Sequence, residues 1–358
     1  MKKSILLAIV LLVTAAALPI AVLAGRMPQT AALPETTAPT TTAITTAATE
    51  TTVPPISTTV PTTTAQTTPA PIEPPQTTIA VLSDGILTEL ELEAAVVAIV
   101  AAEMPALFPP EALKAQAVAA RTYLAYRAAH PVSAHPEAVI CDNPSHCCAL
   151  ADLDTLAASW GESGRDYAAR IVNAVSATAG EIATFAGEPI MAVFHAMSPA
   201  YTNSAADVWG GNVPYLVSVA APAEEAELAG YADSAVFAAA DFRAAFLARY
   251  PKAVLEPNAF DWFSGFDYAV SGLLRTVDVG GVTVSGGELR ALCGLRSAAI
   301  TITQGTDRIR FDTVGYGHGV GLSQHGAKVL AQRGLGYRAI LAYYYTGVEI
   351  GQIEEIAR

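Results

Sequence analysis

The sequence predicts an α+β fold: a mixed helical and antiparallel-strand globular domain with a long substrate cleft, preceded by a transmembrane helix and a disordered Thr/Pro linker. Three observations carry this prediction. Met1-Lys2-Lys3 is followed by an uncharged apolar run from Ser4 to Gly25, closed by Arg26. From about Met27 to Thr78 the composition collapses to Thr, Pro, Ala and a few Glu. Beyond that point, helix-spaced apolar runs give way to strand-like alternation.

An apolar run from Ser4 to Gly25, at about 1.5 Å per residue, reaches roughly 33 Å and can cross a bilayer, whereas a signal-peptide core runs to about 7–15 residues. Residues 1–26 therefore read as a membrane anchor, with the lysines keeping the N-terminus cytoplasmic and sending the remainder outside. A removable signal peptide, with Val22 and Ala24 before the cut, is the alternative. Residues 27–78 cannot bury a core; proline keeps them extended and threonine keeps them solvated, as suits a spacer. Residues 79–358 form the globular part. The net charge of -13 and pI near 4.9 disfavour nucleic acid and anionic membrane surfaces as partners and leave a neutral or locally charged substrate.

Within the globular part, Ile86 to Ala102 carries helix-like spacing with an acidic start at Glu89, Glu91 and Glu93, where negative side chains suit the positive helix end. Pro105 stops this helix just behind Glu103. Beside Met104, Leu107 and Phe108 the Glu103 carboxylate would lose hydration, which favours its neutral form and makes it a proton donor near neutral pH. A salt-bridged or water-facing helix-end glutamate is the plainer alternative. A second helix opens at Pro109-Pro110-Glu111, where proline is tolerated, and runs to about Ala129. It carries Lys114, Gln116 and Arg121, and its alanines permit close packing against the first.

Then comes a cluster of soft and imidazole ligands. His135, Cys141, His146 and Cys147 form the set that zinc takes in closed tetrahedral structural sites. Cys148 is an alternative ligand, and a disulfide from Cys141 to Cys147 or Cys148 is the alternative for an exported protein. Cys293 stands alone in an apolar stretch and reads as a buried thiol.

Asp154 to Ala179 reads helical, and Ile182 to Phe194 reads as a hairpin turning at Gly187, with His195 where the second strand ends. The polar loop after it holds Ser198, Tyr201, Thr202, Asn203 and Ser204 and leads to Asp207-Val208-Trp209-Gly210-Gly211, a suitable mount for sugar-binding hydroxyls and an aromatic platform. Ala221 to Tyr250 is alanine-rich and reads helical. Gly280-Gly281 turns between two strands, a short helix follows near Glu288 to Leu292, and Ile300–Thr303 and Arg308–Phe311 alternate as strands. From Gly315 to Ala327, glycine at every second position leaves one face of an extended segment bare, beside His318, Ser323, Gln324 and His325. This pattern predicts a cleft wall that a ligand approaches closely. Tyr337 to Tyr345 closes the fold as a helix, ended by Thr346-Gly347.

Glu103-Met104-Pro105 with the run Glu111 to Tyr123, and Gly317-His318-Gly319-Val320-Gly321-Leu322-Ser323-Gln324, resemble the stage II sporulation protein D family, also called the amidase-enhancer family. The likeness extends from about residue 85 to the C-terminus. It implies a membrane-anchored lytic transglycosylase that cleaves the MurNAc–GlcNAc bond of peptide-free peptidoglycan strands to 1,6-anhydroMurNAc ends, in septal wall remodelling and forespore engulfment. It further implies a single-pass membrane location with the domain outside the cytoplasm, between mother cell and forespore, and stage II sporulation proteins P and M as partners. Glu103 takes a catalytic role by this resemblance, and His135, Cys141, His146 and Cys147 hold a structural Zn2+, with no organic cofactor. One departure lies at Ser198-Pro199-Ala200-Tyr201-Thr202, where the family commonly carries a Ser-Gly-Gly-like turn.

Apart from Glu111, neither motif supplies a second carboxylate, and hydrolytic glycosidases usually need two. One carboxylate suffices where the sugar's own C6 hydroxyl replaces water, so Glu103 is expected to act first as acid and then as base. Lys114, Arg121, His195, Thr202, Ser204, His318, Ser323 and Gln324 are the expected substrate contacts. Two other functions fit less of the sequence: a zinc amidase built on His195, His318 and His325, and a non-enzymatic wall-binding activator of a partner hydrolase.

Overall fold

Asp84 and Gly85 both take the left-handed backbone, at φ 51° and 76°, and a two-residue turn of this kind matches the twist of a hairpin. It joins β1 (Thr78–Ser83) to β2 (Ile86–Glu91), which pair in antiparallel register from Thr78↔Glu91 to Ser83↔Ile86. The helix expected from Ile86 therefore begins later, as α1 (Leu92–Glu103), and only Glu93 of the three acids lies in its first turn. The computed structural model describes residues 78–143, 146–256 and 261–353. The expected anchor and almost all of the linker lie outside these residues, and no helix among the described residues is long and apolar enough to cross a membrane.

α1 ends at Glu103 because Met104 turns extended, its N–H still bonded to the Val100 carbonyl, and Pro105 has no N–H to continue the ladder. α2 (Pro110–Ala129) runs as expected. Ala112, Ala115, Ala117, Ala119 and Ala120 are wholly buried along it, so the helix backbone sits close to its neighbours. Arg121 corrects a sequence expectation. It is fully buried, donating to both oxygens of Glu93 at 2.7 and 2.6 Å and to the carbonyls of Glu181 and Val175. A substrate cannot reach it; its work is to join α1 to α2.

β3 (Ile140–Cys141) adds a short parallel partner to β1. The helix expected over Asp154–Ala179 is two, α3 (Leu153–Ser159) and α4 (Gly164–Ser176), separated by a 3-10 turn at Gly161–Ser163. β4 (Glu181–Phe185) and β5 (Glu188–Pro189) turn at Ala186-Gly187, and Pro189 cuts the second strand short. β6 (Phe194–His195) is thus separate from that hairpin. After α5 (Ala205–Trp209), the region expected to be one alanine-rich helix holds a 3-10 turn at Ala223–Glu227, strand β7 (Ala232–Ala238) and α6 (Ala239–Arg249). Alanine's helix propensity yields here because β7 pairs along its whole length with β12, and Ala235 and Phe237 pack on the second core.

The strand-rich part follows the sequence closely. β8 (Phe263–Tyr268), β9 (Leu274–Val279) and β10 (Val282–Ser285) form one sheet with the expected Gly280-Gly281 turn, and α7 (Gly286–Cys293) opens with a Ser285–Glu288 capping box. β11 (Ile300–Gln304) and β12 (Arg308–Val314) join β7 in a second sheet. β13 (Leu322–Ser323) lies parallel to β6 and leads into α8 (Gln324–Gln332); α9 (Tyr337–Tyr344) and β14 (Glu349–Gln352) complete the chain, with β14 antiparallel to β4. The result is a mixed α+β fold whose sheets are antiparallel apart from the short β1–β3 and β6–β13 pairs. One apolar core forms around α1, α2, α8 and α9, and another around α6 and β8 to β12.

Replacing Glu93 by alanine strands the Arg121 charge in the first core. Denaturant unfolding is expected to show a loss of about 3 kcal/mol; a loss below about 1 kcal/mol would show that the pair is not a structural link.

Candidate functional site

Glu103 is the last residue of α1, half-buried, and groups from two distant segments hold it. The Ala149 N–H donates to Oε1 at 2.9 Å, and Gln324 Nε2 donates to Oε2 at 3.3 Å. Of its expected apolar neighbours, Met104 and Phe108 are buried but Leu107 is 64% exposed. Glu103 lines a cavity of about 160 Å³ together with Tyr123, Cys147, Cys148, Val193, Phe194 and His318. Tyr123 comes from α2; its hydroxyl donates to the His146 carbonyl at 3.3 Å and accepts from Arg127 Nε at 3.0 Å. Cys148 is buried behind Glu103, and burial, then the nearby Glu103 charge, pushes its thiol well up.

The glycine-rich wall is not an extended strand. Gly315, Gly317, Gly319 and Gly321 all take positive φ, so the segment winds instead of lying flat. Two of them show why no side chain is tolerated. A Cβ on Gly319, at φ 76°, would collide with Nδ2 of Asn203, which donates to the His318 carbonyl at 2.8 Å. A Cβ on Gly321 would collide with the Val193 carbonyl. This close fit lays the loop against residues 193–203 and turns His318 into the cavity.

His318 and His195 are adjacent, with ring centroids 5.8 Å apart. His318 Nδ1 accepts from the Val320 N–H at 3.0 Å, and burial followed by the Arg290 charge pulls its pKa down to about 4. His195 is buried; its Nδ1–H donates to the Val320 carbonyl at 3.1 Å, leaving Nε2 to accept from the Ser198 hydroxyl at 2.7 Å. Burial and then His318 pull it down to about 3. Both rings are therefore neutral hydrogen-bonding groups near pH 7. Trp209, 48% exposed, stands against His318 at 5.4 Å between ring centroids.

Several residues expected at the substrate serve the scaffold. Thr202 is buried and its Oγ1 accepts from the Val219 N–H; Ser204 caps α5 through the Asp207 N–H; Lys114 pairs with Glu111 at 2.7 Å. Ser323 is fully buried, caps α8 through the Gly326 N–H, and donates to Glu225 Oε2 at 2.7 Å. None of these four lines the Glu103 cavity. The Ala149 N–H carries no side-chain signal in a sequence. Glu225, in an alanine-rich run without a motif, has none either.

The ligand atoms of His135, Cys141, His146 and Cys147 all lie within 4.8 Å of one another. His135 Nε2 is 3.2 Å from Cys147 Sγ, Cys141 Sγ is 3.7 Å from His146 Nδ1, and the Asn143 N–H donates to Cys141 Sγ. His135 Nδ1–H is fixed by the Ala138 carbonyl at 3.1 Å, which leaves Nε2 turned inward. All four cysteines carry free thiols, and Cys148 lies apart from the cluster.

The chain is similar to known proteins over most of its globular part. A family described as stage II sporulation protein (SpoIID) matches residues 84–185. Stage II sporulation protein D of Bacillus subtilis (strain 168) is 33% identical over 266 residues, 74% of this chain and 76% of that protein. Stage II sporulation protein D of Bacillus amyloliquefaciens is 31% identical over 274 residues, 76% and 77%. The amidase enhancer of Bacillus subtilis is 27% identical over 302 residues, 69% of this chain but 39% of that protein.

Substitution of Gly319 by alanine forces both a left-handed alanine and a clash with Asn203. It should cost about 2–4 kcal/mol in thermal or denaturant unfolding; wild-type stability would show that the loop can relax without its glycine.

Proposed function

The chain belongs to the stage II sporulation protein D family, and from that premise we propose that it is a lytic transglycosylase that cuts the glycan strands of peptidoglycan during sporulation. The observation that carries this reading is the cavity lining: Glu103 is the only carboxylate among the described residues that form it. Glycoside hydrolysis usually sets two carboxyl groups about 5–10 Å apart, one of them to attack or to activate water. A single carboxyl group suits a reaction whose nucleophile is the sugar itself.

In this mechanism neutral Glu103 donates its proton to the oxygen between MurNAc and GlcNAc, and the bond from that oxygen to muramyl C1 breaks. The resulting carboxylate takes the proton of the muramyl C6 hydroxyl as that oxygen bonds to C1, closing the 1,6-anhydro ring without consuming water. Glu103 ends as it began, protonated. The Ala149 N–H and Gln324 Nε2 fix the direction of the carboxyl group, and neutral His318, with His195 behind it, offers hydrogen bonds that carry no competing charge. A cavity of about 160 Å³ encloses less than a typical ligand pocket of roughly 300–1,000 Å³, so a strand would cross it as one subsite of a longer cleft beside Trp209.

The four-residue cluster fits a structural Zn2+. Two thiols and two imidazoles with their donor atoms this close match the small tetrahedral sphere that zinc prefers, and His135 already has its second nitrogen fixed by a carbonyl. The ion would supply cross-linking of the loop, and Ala149, which holds Glu103, lies two residues beyond Cys147. Cys141→Ser is expected to lower bound zinc from about one per chain to near zero by metal analysis and to lower the melting temperature; a metal-free wild-type protein would end this assignment.

The same reading places the chain on a single-pass anchor outside the cytoplasm, in septal wall remodelling, with stage II sporulation proteins P and M as partners; the N-terminal apolar run supports the anchor. Enhancement of an amidase is the second reading, favoured by the relative of that name. A zinc amidase on His195, His318 and His325 has less support, since His195 spends both nitrogens on Val320 and Ser198, and His325 packs edge-on to Phe108.

Mass spectrometry of digested peptide-free strands decides between these readings. Products with 1,6-anhydroMurNAc ends are expected, with Glu103→Gln at least about a hundredfold slower. Reducing ends carrying water, or undiminished cleavage by Glu103→Gln, would refute the transglycosylase; enhanced amidase activity unaffected by Glu103→Ala would support the second reading.

A further inference from the structure

The mechanism above makes no use of Glu225, yet this acid touches both walls of the site. It sits in the 3-10 turn Ala223–Glu227 and is 1% exposed. Its Oε2 accepts the Ser198 N–H at 2.9 Å and the Ser323 hydroxyl at 2.7 Å. Ser198 continues to His195 through its own hydroxyl, at 2.7 Å. Ser323 caps α8, and the next residue, Gln324, reaches Glu103. One carboxylate oxygen therefore ties the β6 strand end to the α8 start.

The other oxygen is unusual. Glu225 Oε1 has no hydrogen-bond partner among the described residues, and neither has the Tyr344 hydroxyl. Both face Gly326, where a Cβ would come closer than 3.0 Å to each of them. Glycine in the first turn of α8 is what admits the acid. A buried carboxylate with no cation beside it costs free energy that two bonds from uncharged donors do not fully offset. A glutamine would make the same two contacts without that cost, so the contacts alone do not account for an acid here.

We propose that Glu225 is a positioning residue of the Glu103 site, holding Gln324 against Glu103 from one wall and Ser198 with His195 from the other. The proposal rests on the reading of Glu103 as the acid–base residue. Burial pushes the Glu225 carboxyl up to about 7, so its charge changes near neutral pH. The groups facing it are neutral there. Tyr344 on α9 and Tyr231 in the loop before β7 are both pushed up by burial and by Glu225 itself, Ser323 and Gly326 on the α8 side carry no charge, and His195 behind Ser198 is held neutral. Arg333 is committed to Glu224 at the surface. Above about pH 7 the ionised Glu225 receives two charge-assisted bonds; below it these weaken to neutral ones. The sign for stability is opposite. A folded carboxyl with a raised pKa holds a proton that the unfolded chain releases, so the stability it contributes is lost as pH rises from about 4.5 through 7.

The test uses the full-length chain in detergent with peptide-free glycan strands, comparing wild type, Glu103→Gln, Glu225→Gln and Glu225→Leu. Wild-type kcat should rise through about pH 7. Glu225→Gln should lack that rise and melt at a higher temperature than wild type at pH 8. Glu225→Leu should lower kcat about tenfold with KM within about threefold. A folded Glu225→Leu with wild-type kcat, or a Glu225→Gln that keeps the wild-type pH profile, overturns the proposal; if Glu225→Leu does not fold, the glutamine variant's pH profile and melting decide. An inactive Glu103→Gln beside a fully active Glu225→Leu defeats the Glu225 inference alone. Activity lost in Glu225→Leu but kept in Glu103→Gln defeats the acid–base assignment instead.

Discussion

The site depends first on a guanidinium with no access to water. Arg121 is fully buried in α2 and spends its donors on Glu93 and on the carbonyls of Glu181 and Val175. Glu93 is the second residue of α1 and Glu103 is its last, so the ion pair fixes one end of the helix whose other end carries the central carboxylate. α1 buries Leu92, Val96, Ile99 and Val100 beside its alanines, and the two-oxygen pair adds a directional contact that apolar packing alone does not supply. Removing Glu93, itself 39% exposed, leaves Arg121 charged and buried, which makes this contact costly to lose even though such pairs add little net stability.

Around Glu103 the electrostatics are notable for neutrality. His195 and His318 would be cations in a solvated site near pH 6; burial holds both far below that, and their hydrogen bonds agree with neutral rings. No ion pair of the described residues includes Glu103, whose partners are a backbone amide and a side-chain amide. A cation hydrogen-bonded to the carboxyl would favour its ionised form and oppose the proton donation proposed for it. The arrangement thus positions the carboxyl group through two uncharged amides, one on each oxygen.

How much of this was legible in the sequence depended on whether the signal was local. Glu103 stood out because Pro105 marks the end of an apolar run, and the His135–Cys147 cluster because its ligands lie close along the chain. The Gly280-Gly281 turn and its strands were equally local. Other features were set by contacts distant in sequence. Arg121 reads as a substrate contact because nothing local reveals a partner in Glu93, and β7 reads as helical because alanine's propensity is overridden only by pairing with β12. Ile86–Glu91 was misread for a different reason: Asp84-Gly85 is a strong hairpin signal that the helix-like spacing after it obscured. The glycine wall was found, but alternation suggested a flat strand where positive φ produces a winding loop.

The distribution of these features has a physical order. The groups that give the site its shape come from the backbone or from residues whose only sequence mark is their smallness: the Ala149 N–H, the glycines at 319 and 321, and Gly326 beside Glu225. Each of these three glycines admits an approach that a side chain would block. The groups that give it chemistry are few and conspicuous. Ala149 lies two residues beyond Cys147 of the thiol–imidazole cluster, and a helix capped by Ser323 begins at Gln324, so the Gln324 donor sits immediately beyond a point where the chain is pinned. A donor so placed loses little conformational freedom when it bonds, because the pinning has already restricted it. Glu103 can therefore be held by two modest hydrogen bonds, at 2.9 and 3.3 Å, instead of a strong ion pair.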